Sequence, residues 1–335
     1  MDQQQAIQAA VRKAYFHKDQ DIRTKPVPYG VNNTTCYVLS GEQKYVFRIY
    51  DNRHDEQPIQ FELNVLASLK RQDPSFEVPA PVHNQEGQWI TRLDNGKLGV
   101  LFHCIPGERP RPEDAYRFGR AAGELSVALG SIEVSGKPPY RGGSYHLYEV
   151  HPLISKEMLH ESLSRPADPE DAQAAEFMLQ EVVSMEKKKE SFSRMPHQLV
   201  HGDLALSNML IHDGRISGIL DFEFCSPDVR AMELAVGLMS FVQEGGSFLT
   251  TAESIISGYS EQASLTAEEI GMLPSLIRLR YIGSYIHHLG RYAAGVGTFD
   301  AARKRLHSFL KLSEALVRTE DALLQLGFKY LAARP

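Results

Sequence analysis

The chain has 335 residues, of which 42% are apolar and 23% charged, with 25 Gly and 18 Pro. Such a length supports about two domains with a sizeable core, and the composition excludes a disordered, collagen-like or staple-dependent chain. A formal net charge of −6 gives no global basic field for gripping nucleic acid through its phosphates. Cys36, Cys104 and Cys225 are odd in number and widely spaced, which fits neither a disulfide framework nor a paired-cysteine metal ribbon and points to a reducing compartment. Residues Met1 to Gln5 lack the basic start and apolar core of a signal peptide, and no apolar run approaches the roughly 18 residues that a membrane span needs. The expectation is a cytoplasmic protein with no nucleic-acid or membrane partner.

The first hundred residues alternate short β-rich runs with turn signals. Thr34 to Leu39 and Lys44 to Tyr50 flank Ser40-Gly41-Glu42-Gln43, a loop of the length and chemistry that closes a hairpin. From Ile59 to Lys70 the residues Leu63, Leu66 and Leu69 recur at helical spacing, and β-like runs follow at Gln88 to Leu93 and Leu98 to Ile105. Three prolines between Pro106 and Pro112 then break the pattern, so a lobe boundary is placed at residues 105/106. Beyond it helical periodicity dominates: Glu113 to Leu129, Pro169 to Glu190, Arg230 to Val242, Phe248 to Gln262, Glu268 to Ala294 and Ala301 to Leu326. Strands are predicted there only at Leu199 to His201, Met209 to His212 and Arg215 to Leu220.

The densest chemical signal is His201-Gly202-Asp203-Leu204-Ala205-Leu206-Ser207-Asn208, followed by Ile219-Leu220 and Asp221-Phe222-Glu223. Two strands joined through Asp213-Gly214 form a predicted hairpin with Asn208 at its entrance and Asp221 at its exit. An amide oxygen and carboxylates in that arrangement suit a hard, oxygen-loving cation such as magnesium. A metallohydrolase using His201, Asp203 and Asp221 would ordinarily recruit further His or Asp clusters.

This segment resembles the catalytic segment of the aminoglycoside phosphotransferase-like kinases, which include homoserine, choline and methylthioribose kinases. The resemblance implies an α+β, two-lobed protein kinase-like fold, with a small antiparallel-sheet N-lobe (1–105) binding nucleotide and a mostly helical C-lobe (106–335) carrying the catalytic loop and acceptor site. It assigns Asp203 as the catalytic base, Asn208 and Asp221 as magnesium ligands, and His201 as a scaffold residue. Phosphoryl transfer asks the protein mainly for positioning and charge neutralisation, so these parts suffice.

Gly30, Asn32, Asn33 and Thr34 occupy the place of the family nucleotide loop, and Arg48 that of the Lys that contacts the phosphates. A guanidinium can clamp phosphate bidentately, and Glu62 on the next helix is its expected ion-pair partner. His103 and Ile105 lie where the family hinge reads the adenine edge through backbone groups. Asp228 and Glu233 are read as structural carboxylates behind the catalytic loop. The spacing from Asp221 to Asp228 is most similar to the homoserine kinase branch.

On the helix from Glu268, no acidic residue occurs between Glu269 and Asp300, while Arg280, Ser284, His287 and Arg291 recur at steps of four, three and four. Such a polar stripe suits an acceptor bearing a carboxylate or phosphate; the plainer alternative is a solvated outer face. The expected function is ATP- and magnesium-dependent phosphorylation of a hydroxyl on a small metabolite such as a homoserine-like amino acid. An aminoglycoside or choline/ethanolamine-type kinase, a protein Ser/Thr kinase of the same fold and a non-catalytic nucleotide-binding protein stay open at this point.

Overall fold

A computed structural model describes residues 3–27, 33–51, 55–133, 135–139, 142–166, 168–242 and 248–333. The first half of the chain runs α1 (Gln3–Tyr15), β1 (Ile22–Pro26), β2 (Asn33–Ser40), β3 (Gln43–Tyr50), α2 (Glu56–Arg71), β4 (Ile90–Arg92), β5 (Leu98–His103), α3 (Ala115–Gly130) and α4 (Lys156–Ser164). The second runs α5 (Ala172–Lys187), α6 (Lys189–Arg194), β6 (His197–Val200), β7 (Met209–His212), β8 (Arg215–Ile219), β9 (Ser226–Val229), α7 (Met232–Val242), α8 (Phe248–Tyr259), α9 (Ala267–Ala293) and α10 (Phe299–Tyr330). Two compact units result: Met1–Glu108 with Glu133–Pro138 and Leu210–Glu223, and Arg109–Ile132 with Pro139–Met209 and Phe224–Pro335.

The first unit is built on an antiparallel five-stranded sheet in the order β1-β2-β3-β5-β4. Gly41 at φ +57° opens the tight turn that sets Ser40 opposite Gln43, a conformation that glycine adopts without a Cβ penalty. Alternation along β3 sends Tyr45, Phe47 and Ile49 into a core shared with Val11 and Phe16, while Arg48 belongs to the opposite face. On α2, which Asp55 caps by accepting from the Gln57 N–H at 3.0 Å, Ile59, Leu63, Leu66 and Leu69 are buried. The β7–β8 pair turns through Asp213 (φ +49°) and Gly214 (φ +71°). It is pinned into this unit because Glu77 N–H donates to Ser217 O at 2.9 Å and Ile219 N–H to Glu77 O at 3.0 Å.

In the second unit, α3 and α8 approach closely enough that a Cβ on Gly119 would lie 2.0 Å from Ile255 O, and one on Gly258 would lie 2.2 Å from Tyr116 O. The long α9 begins at a capping box, Thr266 Oγ1 accepting from Glu269 N–H while Glu269 Oε2 accepts from Thr266 N–H. Glu269, fully buried, also receives Arg230 in a two-pronged ion pair, Nε to Oε1 at 2.9 Å and Nη2 to Oε2 at 2.5 Å. From α7, buried Glu233 accepts the His201 N–H at 2.7 Å, fixing the start of the predicted catalytic loop.

Several predicted elements change extent. The run Gln88 to Leu93 pairs only over β4, the strand expected to reach Ile105 stops at His103, and the helix expected from Arg230 starts at Met232. The single helix predicted over Pro169 to Glu190 is a 3-10 turn (Pro169–Asp171), then α5, with a break before α6. Elements α1, β1, α4 and β9 were not anticipated.

Because the atoms facing Gly119 are backbone and cannot swing aside, Gly119→Ala is expected to cost about 3 kcal/mol of stability, measured by chemical denaturation; an unchanged midpoint would show that α3 and α8 can separate freely. Burial lifts the Glu233 carboxyl to about 8, the His201 N–H opposing and Asp228 reinforcing the rise. The unfolded chain releases this proton near the ordinary 4.5 and the folded chain keeps it to higher pH, so this group's contribution to stability declines as pH rises across that window. Glu233→Gln, permanently neutral, is therefore expected to flatten the pH dependence of the melting temperature between about pH 5 and about pH 8. An identical slope in both proteins would refute the assignment.

Candidate active site

Strand β6 delivers His201 into the core, where it is fully buried. The chain then turns at Gly202, φ +78°, where a Cβ would lie 2.8 Å from Phe224 O. His201 Nδ1 accepts the Asp203 N–H at 3.2 Å, so the ring shapes the loop as a scaffold. The short 3-10 turn Leu206–Asn208 folds back, and Asn208 Nδ2 donates to Asp203 O at 2.8 Å and to Asp203 Oδ2 at 3.1 Å. From α9, Arg280 Nη2 donates to Asp203 Oδ1 at 2.7 Å. The Asp203 carboxylate is thus oriented through both oxygens while its side chain stays 31% exposed, so it is held in place yet open to an approaching group.

The remaining stripe residues do not form a solvated outer face. Arg280, Ser284 and His287 are half-buried and Arg291 is buried. Burial pushes His287 down to about 3, assisted by His288, Arg291, Arg280 and His151. His288 falls to about 4, again by burial first and then Arg305, Arg291 and Arg280. Both imidazoles are therefore neutral at pH 7, and the positive charge of the stripe resides on its arginines. His151, Phe224 and His288 pack around His287 with ring centroids 6.4, 6.0 and 5.6 Å away. The sequence reading did not single out His151 or His288, although His288 stands beside a stripe residue in the chain.

In the first unit, Arg48 Nη1 lies 3.2 Å from Glu62 Oε1 and 3.2 Å from Asp221 Oδ1. The expected Arg48–Glu62 pair is present, and Tyr50 OH donates to Glu62 Oε2 at 3.1 Å. Burial alone would lower the Arg48 pKa; Asp221, Glu62, Tyr50 and Glu223 outweigh it and raise the value. Burial also lifts Tyr50, with Glu62 adding to the rise. Asp221 holds φ +67°, sparsely populated for a residue with a Cβ, and its buried Oδ1 makes no hydrogen bond despite the nearby guanidinium. Strained backbone and an unsatisfied buried carboxylate oxygen suit a residue shaped for a cation. Glu62, Asp221 and Glu223 are the carboxylate groups that act on the Arg48 guanidinium.

Among the described residues no group of three or more His, Cys, Asp or Glu is arranged to hold a metal ion, and the two expected ligands belong to different units. Asn208 commits its amide hydrogens to Asp203, which leaves its amide oxygen for a hard cation, and Asp221 offers a carboxylate oxygen. Gly30 and Asn32 lie outside the described residues. Asn33 Nδ2 donates to Glu223 Oε2 at 2.7 Å and Thr34 Oγ1 to Asp51 Oδ2 at 2.7 Å, so the polar side-chain groups expected near phosphate are engaged by carboxylates. Glu223 was quoted in the motif without a role; its position two residues after Asp221 is the signal that could have found it. His103 N–H donates to Ala80 O at 3.0 Å and Cys104 N–H to Lys44 O at 3.2 Å, so the backbone N–H of His103, expected to read adenine, is engaged within the chain. Ile105 is buried, its side chain against Gly218.

A family model described as "Phosphotransferase enzyme family" matches residues 23–263. The chain is 25% identical over 283 residues to a homoserine kinase of Parvibaculum lavamentivorans, covering 81% of this chain and 82% of that one. It is 26% identical over 258 residues to a homoserine kinase of Beijerinckia indica, covering 76% of each. Among solved structures it is similar to a microcompartment-associated aminopropanol kinase, with TM-score 0.66, 19% identity and coverage of 96% of this chain and 98% of that one. It is also similar to an amicoumacin kinase in complex with AMP-PNP, Ca2+ and Ami, with TM-score 0.66, 16% identity and coverage of 95% and 94%. The fold is the α+β protein kinase-like fold, and no helix among the described residues is long and apolar enough to cross a membrane. The chain belongs to the phosphotransferase enzyme family.

Proposed function

We propose that this phosphotransferase uses ATP and magnesium to phosphorylate the hydroxyl of a small, homoserine-like hydroxylated amino acid. The observation that carries the reading is the Asp203 carboxylate held between Asn208 Nδ2 and Arg280 Nη2, on a loop that matches the family's catalytic segment. Similarity to homoserine kinases over about three quarters of the chain and the arginines of α9 support an acidic acceptor. Three free thiols support a cytoplasmic location.

In this reading residues 1–105 bind the nucleotide and 106–335 the acceptor. Asp203 orients the acceptor hydroxyl and takes its proton as the oxygen–phosphorus bond forms and the bond from the γ-phosphorus to the leaving ADP oxygen breaks. Arg48, steadied by Glu62, supplies a fork for the phosphates. Magnesium, held by Asn208 and Asp221, would neutralise charge on the ATP phosphates.

Purified protein supplied with magnesium and ATP is expected to release ADP with hydroxylated amino acids and to yield the phosphorylated acid by mass spectrometry. ADP release with kanamycin-like amines alone would overturn the acceptor class. Asp203→Asn should lower turnover by about 10² to 10⁴ while ATP affinity and melting temperature hold; near-normal turnover would exclude Asp203 as the base. For Arg48→Ala the KM for ATP should rise more than the KM for the acceptor, since the fork is assigned to phosphate. An effect confined to the acceptor would remove Arg48 from the nucleotide site.

A further inference from the structure

Arg230 and Arg280 use the same chemistry to different degrees. Arg230 grips Glu269 with both Nε and Nη2, the full planar fork. Arg280 reaches Asp203 Oδ1 with Nη2 alone, while its Nε is buried and has no hydrogen-bond partner. On one arginine edge, therefore, one donor is spent on the proposed base and the adjacent donor is idle. A guanidinium meets a carboxylate best when both donors of that edge are engaged.

We propose that Arg280 is a specificity-determining positioning residue that masks Asp203 until the acceptor's own carboxylate takes the Arg280 fork. This rests on the acidic acceptor class of the preceding section. A carboxylate seated on Nε and Nη2 satisfies the idle Nε and competes with Asp203 for Nη2, the nitrogen that holds Oδ1. Asp203 then keeps its Asn208 contact on Oδ2 and regains Oδ1 for the acceptor hydroxyl. Before that exchange Arg280 Nη2 occupies Asp203 Oδ1 at 2.7 Å, so that oxygen is not free to accept from the acceptor hydroxyl. Water, which has no carboxylate to present, meets a masked base, so ATP hydrolysis without acceptor is suppressed. The neighbouring His287 and His288 are neutral and half-buried, which leaves the exchange to guanidinium and carboxylate.

The test compares wild type with Arg280→Gln and Arg280→Lys. Phosphate release from magnesium-ATP is measured without acceptor, and transfer is measured to a hydroxylated amino acid and to the amino alcohol lacking only its carboxylate. Wild type should hydrolyse ATP slowly and prefer the acid. Arg280→Gln, which lacks the guanidinium that occupies Oδ1, should raise acceptor-free hydrolysis by about tenfold and lose the preference between the two acceptors. Arg280→Lys keeps the charge without the fork, so it should hold hydrolysis low while its KM for the acid rises and that for the amino alcohol does not. Equal loss of kcat on both acceptors with acceptor-free hydrolysis unchanged or lower in Arg280→Gln, in protein that melts like wild type, would overturn the masking role and leave Arg280 a strut. A wild type that phosphorylates only amines overturns the acceptor class instead. The two failures are distinguishable because the acceptor-free comparison contains no acceptor.

Discussion

The loop that carries Asp203 is anchored where the His201 N–H donates to the fully buried Glu233 carboxyl group at 2.7 Å. With β6 ending at Val200, that bond fixes where the chain leaves the core. His201 then accepts the Asp203 N–H, and the glycine between them permits the left-handed turn against Phe224 O. Nothing in this sequence of constraints acts on Asp203's carboxylate directly. Each constraint removes a backbone freedom upstream of it, so Asn208 and Arg280 need only orient an already placed side chain. Burying Glu233 is unfavourable for its charged form, and its neighbour Asp228 is also lifted by burial despite accepting from Ser144 and Val229. Glu233 thus holds the loop at His201, while Asp228 holds the Ser144 segment; both burials carry a desolvation cost.

The first unit solves a different problem. In the proposed reading phosphates and a divalent cation bring opposite charges to neighbouring positions, and the Arg48 group contains both signs. In that reading Arg48 faces phosphate and Asp221 the metal, with Glu62 and Glu223 as the further acidic neighbours of the guanidinium. Glu62 is almost wholly buried and ties to both Arg48 and Tyr50, so it fixes α2 against the sheet as well as aiming the guanidinium. Asp221 differs, with a buried oxygen lacking a hydrogen bond and a backbone at positive φ. Strain of that sort persists where surrounding structure over-determines it, here the β8 strand that ends at Ile219 and the 3-10 turn at Phe222–Phe224.

What was legible in the sequence follows from the range of the forces involved. The β2–β3 hairpin, its Gly41 turn, the β7–β8 hairpin and the start of α9 are local devices, written within a few residues of where they act. Helix α1 was missed because its Gln-rich start carries few apolar residues, with Val11 its fully buried core contribution. Strand β9 was missed because Pro227 and Asp228 oppose strand propensity, and pairing with β6 overrides them. The site residues were legible as types at fixed spacing, but their partnerships were not. Asn33 meets Glu223 across 190 residues and Arg280 meets Asp203 across 77, and no periodicity encodes such meetings.

The stripe on α9 shows what that gap costs in interpretation. As a sequence pattern it reads as four polar residues of one basic character. In the fold its members part ways: Arg280 is committed to Asp203, His287 is stripped of charge by burial among rings and arginines, and Arg291 is buried with Nη2 donating to Val296 O at 3.1 Å. Charge along a helix face is therefore a property of burial as much as of residue type. Neutral imidazoles flanking a partly satisfied guanidinium make a surface that is polar without being broadly cationic. Such a surface disfavours polyamine ligands less strongly than a fully charged stripe would, so for the proposed acidic acceptor discrimination rests on the geometry of a single fork. In that proposal specificity falls on the same arginine that orients Asp203, coupling recognition of the acceptor to its activation.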